Sequence, residues 1–292
     1  MTSNSVRSAL NEFQTFRQQL FSLYAGQKAE LREKSVPWGM STTKGYWLAE
    51  WRGNRPAVER SAASIGDDEI KLFYDCCQLL NPVRTYVIGN SFGLSTFTFA
   101  LALPEQEVIA IDNWSEPGIG ELTKSLSEAI IAAASLTNVR LVTGTSPQDT
   151  AKALNPSGPT ARAPISIAFI DGLHRNHAAK ADYDGLIPFL DNQSVVFWHN
   201  VNDVDDAFTS AYFQHGVNHF DRKLVLRTHG PLGVFFSSEA HPQLQSYLES
   251  CCLIWPEWQK GVSLYTFEAE EHERLERSRM RKLVRLISAP LG

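Results

Sequence analysis

Residues 85–112 read Thr85-Tyr-Val-Ile-Gly89-Asn90-Ser91-Phe-Gly93-Leu-Ser95-Thr96-Phe and, after a helical stretch, Val108-Ile-Ala-Ile-Asp112. The order is a short apolar strand, a Gly-containing turn, a helix, a second apolar strand and an acid at its end. α/β proteins build nucleotide-type sites this way. Glycine lets a backbone approach a ligand closely, a helix start offers free N–H groups, and an acid one strand over can accept two ribose hydroxyls. Gly89 and Gly93 are four apart, so the turn is G-x-x-x-G and not the dinucleotide pattern G-x-G-x-x-G.

Further along, Ile165-Ser-Ile-Ala-Phe-Ile-Asp171-Gly-Leu-His174 is another apolar run ending in an acid, and Ser194-Val-Val-Phe-Trp-His199-Asn200 ends in an imidazole and an amide. Three strands thus deliver polar groups at their C-terminal ends, the edge at which open parallel sheets bind ligands. Strands are expected at 85–89, 108–112, 139–143, 165–171 and 194–199. Helical crossovers between them, including 178–190 with Asp182 and Asp184, imply a mainly parallel sheet covered on both faces. Residues 223–228 and 233–237, joined by His229-Gly230-Pro-Leu, read as a closing antiparallel pair.

The motifs V-I-G-N-S-F-G-L-S-T, V-I-A-I-D, F-I-D-G-L-H and V-V-F-W-H-N resemble those of class I S-adenosylmethionine-dependent methyltransferases. They are most similar to the branch with an I-D-G-x-H strand end that includes macrocin-type O-methyltransferases. The resemblance covers residues 65–237. It implies a Rossmann-like, doubly wound, seven-stranded α/β sheet with an antiparallel final strand, and S-adenosylmethionine as cofactor. Gly89, Asn90, Ser91, Gly93, Ser95 and Thr96 would then meet the methionine end, with Asp171 supplying charge. Asp112 would take the ribose, Asn113 and Trp114 would flank the adenine, and the loop carrying Thr145 and Ser146 would form its edge. One position departs from the family: the acid often found two residues before the first glycine is here Val87.

Methyl transfer to oxygen requires an acceptor that loses its proton, to a base or under the pull of a cation. In catechol-type relatives Mg²⁺ is held by an Asp at the fourth strand end and by Asp-Asn at the fifth. By position Asp171 and Asn200 fall on the outer ligands, and His199 replaces the middle Asp. Mg²⁺ prefers oxygen. Two roles for His199 stay open: direct base, since an ordinary imidazole titrates near pH ~6.5, or ligand of a softer divalent metal with Asp171 and Asn200. His174 is expected in the active site with Asp171 and His199, and His177 on a helix surface.

Around this core, residues 5–24 show helical periodicity, with Val6, Leu10, Phe13, Leu20 and Tyr24 near one face. Residues 35–64, rich in Gly, Pro and Ser and holding Trp38, Trp47 and Trp51, read as irregular: a lid, a homodimer seam or a small extra core. Asp67–Leu80 reads as a helix with acids in its first turn. A charged helix is expected at 268–287, acidic early and basic late. The expected divisions are 1–64, 65–237 and 238–292.

With 292 residues, 43% of them hydrophobic, the chain is long enough for one domain with elaborations. A net charge of −5 argues against a general nucleic-acid binder. No apolar run suggests a membrane span or signal core. The cysteines, Cys76-Cys77 and Cys251-Cys252, lack metal-ligand spacing and read as reduced thiols of a cytoplasmic protein. The leading expectation is methyl transfer to a hydroxyl of a small-molecule acceptor. Two alternatives are a non-catalytic scaffold, and a metal-dependent hydroxylase of the cephalosporin-hydroxylase kind using Asp171, His174 and His199.

Overall fold

The computed structural model describes residues 3–35, 45–51, 61–155, 164–228, 230–251 and 253–254. Residues 1–254 form one compact unit. Trp38, His229, Cys252 and the expected helix at 268–287 lie outside the described residues.

The sheet runs β6-β5-β4-β7-β8-β10-β9, with β4 (Arg84–Ile88), β5 (Glu107–Asp112), β6 (Val139–Thr143), β7 (Ile167–Ile170), β8 (Val195–Trp198), β9 (Arg222–Leu226) and β10 (Leu232–Phe236). The first five strands pair in parallel, and β10 inserts antiparallel between β8 and β9. The fold class is therefore the doubly wound, mainly parallel seven-stranded sheet expected, with the antiparallel strand sixth in spatial order.

Both faces are covered by the helices α2 (Asp67–Leu80), α3 (Leu94–Ala102), α4 (Gly120–Ala134), α5 (Thr150–Leu154), α6 (Asn176–Leu186) and α7 (Asp205–Gln214). Alternation sends neighbouring residues of one strand to opposite cores. Phe197 meets Phe73 of α2 with ring centroids 5.4 Å apart, while Trp198 meets Phe208 of α7 at 5.7 Å and Phe235 at 5.6 Å. Phe73 also contacts Phe99 and Phe169, each at 4.9 Å, which ties α2 and α3 to β7. Burying one such side chain contributes about 1.5–3 kcal/mol.

The N-terminal segment differs from expectation. After α1 (Ser3–Ser22), strands β1 (Ala29–Ser35), β2 (Gly45–Trp51) and β3 (Ser61–Gly66) form an antiparallel three-stranded sheet, where 35–64 was read as irregular. Trp47, Ala49 and Trp51 of β2 share a face. Ala49 and Trp51 are buried, and Trp47 packs against Phe21 at 4.4 Å and donates a hydrogen bond to Asp67. The period-2 placement of these side chains was the strand signal, obscured by the Gly- and Pro-rich stretches on either side. The division expected at 64/65 falls inside β3, which runs directly into α2.

Cys76 and Cys77 are free and buried on α2, and Cys251 is free and exposed. Among the described residues no helix is long and apolar enough to cross a membrane.

Candidate active site

The turn after β4 is packed against its own neighbours. Gly89 has φ +87°, and a Cβ there would lie 2.0 Å from the main-chain oxygen of Asp171. Its glycine is required by the close approach of the β7 end. Gly93, φ +88°, caps α3, and a Cβ there would meet the Phe97 ring at 2.5 Å. The sequence expectation was that these glycines clear space for a ligand; the contact that excludes a side chain is intramolecular in both cases.

The turn is knitted by side chains expected to face a cofactor. Buried Asn90 donates to Ser127 Oγ at 3.0 Å and accepts from Thr96 Oγ1 at 2.7 Å. The Asn90 and Ser91 N–H groups donate to Asp112 Oδ2 at 2.8 and 2.9 Å, and the Trp114 N–H donates to Oδ1 at 2.7 Å. A carboxylate has about four acceptor positions, so Asp112, half-buried, still faces the site with acceptor capacity to spare. Ser95 is buried in the first turn of α3, Trp114 is buried, and Asn113 and Thr145 are exposed on the same edge. Thr145 N–H donates to Asp149 Oδ2 at 2.9 Å, and Ser146 Oγ accepts from Thr150 at 3.2 Å. Val87 is buried in the apolar core.

Ser91 (φ +46°), Trp114 (φ +45°) and Asn200 (φ +48°) all adopt the left-handed region at this edge. Such conformations cost of order 1–2 kcal/mol in non-glycine residues and concentrate at functional sites.

Across from Asp112 lies a cluster at the ends of β7 and β8. Asp171 Oδ1 accepts from both imidazoles, 2.6 Å from His199 Nδ1 and 3.0 Å from His174 Nε2. Asn200 Nδ2 lies 3.3 Å from His174 Nδ1, and Asp203 Oδ2 lies 3.8 Å from the same nitrogen. His177 lies at the exposed start of α6. Gly230 closes one side: a Cβ there would meet Asn200 Oδ1 at 1.9 Å and His199 Nε2 at 3.4 Å.

One member of the cluster was not singled out from sequence. Glu69, in the first turn of α2, is fully buried, and its Oε1 lies 3.4 Å from His199 Nε2. A helix that leads into a parallel strand runs antiparallel to it, so its first turn lies over the strands' C-terminal ends. Glu69 Oε2 accepts the Gly66 N–H at 2.8 Å, which fixes the side chain from the other end. An apparent macrodipole acid is thus a buried partner of His199.

The electrostatics follow. Burial raises the Asp171 carboxyl, but the His199 charge and the hydrogen bonds from His174 and His199 outweigh it and hold it at about 2. Burial opposes a charge on His199, yet Asp171 and Glu69 push it well above the ordinary histidine value. His199 is therefore not the weakly perturbed base expected; it is 8% exposed with an acid at each ring nitrogen. Burial raises the Asp203 carboxyl, moderated by both histidines. His174, a third exposed, is the imidazole that solvent reaches.

No curated protein sequence matches the chain. Among solved structures it is similar to a putative caffeoyl-CoA O-methyltransferase from Staphylococcus aureus, at 16% identity and TM-score 0.49 over 60% of this chain and 85% of that one. It is also similar to an O-methyltransferase from Bacillus cereus in complex with SAH, at 17% identity and TM-score 0.48 over 60% and 83%. A third is the O-methyltransferase TomG from Streptomyces achromogenes, at 16% identity and TM-score 0.47 over 60% and 81%. A family model described as a methyltransferase domain matches residues 87–201, from within β4 to the turn after β8. The matched stretch carries the Gly89 turn, Asp112, Asp171, His174 and His199.

Proposed function

We propose that the protein transfers a methyl group from S-adenosylmethionine to a hydroxyl of a small metabolite. The observation that carries this reading is the double contact of Asp171. Its main-chain oxygen abuts Gly89 in the first turn, and its carboxylate joins His174 and His199. The cofactor turn and the acid–imidazole cluster are thus one continuous site.

The donor set suits such a ligand. Ionised Asp171 beside Gly89 offers negative charge to a cationic methionine end, in place of the acid that Val87 lacks. Half-buried Asp112, one strand over, keeps one acceptor position for a ribose hydroxyl beside the three N–H groups it already accepts, and Trp114 and the Thr145–Ser146 loop line the next position along the edge. Bound S-adenosylmethionine supplies an electrophilic methyl, which leaves its sulfur for the acceptor oxygen. The acceptor hydroxyl gives up its proton to His174, the imidazole of the cluster that solvent reaches. Glu69 and Asp171 hold His199 in one orientation, and His174 faces the open side.

Calorimetric titration with S-adenosylmethionine tests the reading, with transfer of a labelled methyl group to a panel of hydroxylated metabolites. One binding site per chain is expected, weakened in Asp112→Ala. A folded protein that binds neither S-adenosylmethionine nor its demethylated product would be a scaffold.

A further inference from the structure

We propose that Tyr24 is a positioning residue for the cofactor: from outside the matched stretch 87–201 it holds the Gly89–Gly93 turn in the shape that binds S-adenosylmethionine. The identity of the ligand rests on the methyl-transfer reading; the hold on the turn does not.

The turn needs holding. Gly89, Ser91 and Gly93 all have positive φ, at +87°, +46° and +88°. A shape of this kind persists only where its surroundings over-determine it. Part of the restraint comes from within the matched stretch. Asp112 accepts the Asn90 and Ser91 N–H groups, the Asn90 side chain bonds Ser127 and Thr96, and the Trp114 indole donates to the Ser91 carbonyl at 3.4 Å. Those bonds grip Asn90 and Ser91.

The next residue is gripped from the N-terminal segment. Tyr24 Oη donates to the Phe92 carbonyl at 3.2 Å. The Tyr24 ring lies edge-on to the Phe92 ring at 6.0 Å and to the Phe97 ring of α3 at 6.1 Å. Phe92 and Tyr24 are both buried. A main-chain carbonyl in such a place needs a donor. Burial pushes the Tyr24 hydroxyl well above its ordinary value, so it keeps its proton and remains that donor.

Tyr24 is itself fixed. It follows α1 in a turn where its N–H donates to the Phe21 carbonyl at 3.1 Å. α1 is tied to α2 by the Arg17–Asp67 ion pair at 2.7 Å and by Phe16 against Tyr74 at 4.5 Å. The turn is thus clamped between the N-terminal segment and the edge of the main sheet. Without the hydroxyl, part of the molecules leave the binding shape, and apparent affinity falls in proportion to the fraction that remains. By reciprocity, bound cofactor must stabilise the Tyr24 contact as much as Tyr24 favours the cofactor.

The test compares two full-length variants. Tyr24→Phe keeps the ring and removes the donor. Phe16→Leu loosens α1 without touching the turn. Tyr24→Phe should bind S-adenosylmethionine roughly 3–10-fold more weakly, the effect of losing one buried hydrogen bond. KM for S-adenosylmethionine should rise by the same factor, with kcat at saturation unchanged. In the ligand-free variant the Asn90, Ser91 and Gly93 amides should exchange faster than in the parent. Phe16→Leu should lower the urea midpoint and leave affinity and turn exchange at parent values. Parent-like affinity in Tyr24→Phe, or equal weakening in Phe16→Leu, would overturn the inference. Should Tyr24→Phe not fold, exchange in the parent decides: saturating S-adenosylmethionine should protect the Tyr24, Ala25 and Gln27 amides, and no protection there overturns it. The two failures are distinct. A folded parent that binds no S-adenosylmethionine sinks the methyl-transfer reading, whereas unchanged exchange at the turn amides of ligand-free Tyr24→Phe sinks the role of Tyr24.

Discussion

Glu69 Oε1 lies 3.4 Å from His199 Nε2, with Glu69 fully buried and its other oxygen accepting the Gly66 N–H. Through this one side chain the N-terminal sheet, which ends at Gly66, is joined to the end of β8. The site is therefore built partly by elements outside the matched domain, residues 87–201.

Glu69→Ala should destabilise the fold by roughly 2–4 kcal/mol, because it removes a buried partner of a charged imidazole and a helix-capping acceptor. His199 keeps Asp171, which holds the cost below that of a fully orphaned charge. Urea unfolding measures it. A change under about 0.5 kcal/mol would mean that water replaces Glu69 at no cost.

Gly89→Ala should act on folding before it acts on ligand. Its Cβ would sit 2.0 Å from a main-chain oxygen that cannot swing aside, at a φ of +87°. A loss of at least about 3 kcal/mol is expected from strain and overpacking together. At Gly93 the obstacle is the Phe97 side chain, so Gly93→Ala should cost less. Equal stability of both variants would show that the β7 end yields.

Much of this was legible in the chain, for identifiable reasons. Apolar runs broken by helical stretches fixed the parallel sheet, and α2 was placed at Asp67–Leu80 as found. Polar residues at strand ends marked Asp112, Asp171, His174 and His199, because that edge is where such sheets gather them. The N-terminal sheet was hidden because two of its strands hold few large apolar residues: Ala29–Ser35 is mostly charged and Ser61–Gly66 is small. Glu69 was hidden because an acid in a first helical turn reads as solvated; only the helix's position over the β8 end makes it a partner of His199. The role of Gly89 was hidden because close approach by backbone and by ligand leave the same residue.

Asp112→Asn should loosen the first turn as well as weaken the cofactor. Its carboxylate accepts three N–H groups, from Asn90, Ser91 and Trp114. An amide retains one acceptor oxygen, so at least one of them loses its partner. Hydrogen bonds to a charged acceptor contribute about 1.5–3 kcal/mol, which corresponds to roughly ten- to hundredfold faster exchange at those amides if they open locally. Amide hydrogen exchange of the ligand-free protein reads this directly. Unchanged protection at all three positions would separate Asp112 from the turn's order and leave it a ligand contact alone.

Asp182 gives the fold a pH dependence opposite in sign to that of a paired carboxylate. Burial pushes its carboxyl up to about 6, against a hydrogen bond with Ser146 that lowers it. In the unfolded chain the same group titrates near ~3.9. Between these values the folded state holds a proton that the unfolded state has released. The contribution of Asp182 to stability is therefore fully present below pH ~4 and is lost as pH rises through about 6, by roughly 2–3 kcal/mol in total. Asp182→Asn keeps the neutral shape at every pH. Urea midpoints of parent and variant should nearly coincide at about pH 3 and diverge at about pH 7.5, the variant becoming the more stable. Taking the difference between the two proteins cancels the titration of every other group. Gly172, next to Asp171, lies against this carboxylate, with a Cβ there meeting Asp182 Oδ2 at 3.1 Å. The ionised form should therefore also loosen the loop beneath the site. A stability difference that stays constant across that pH range would mean that Asp182 is solvated in the folded protein.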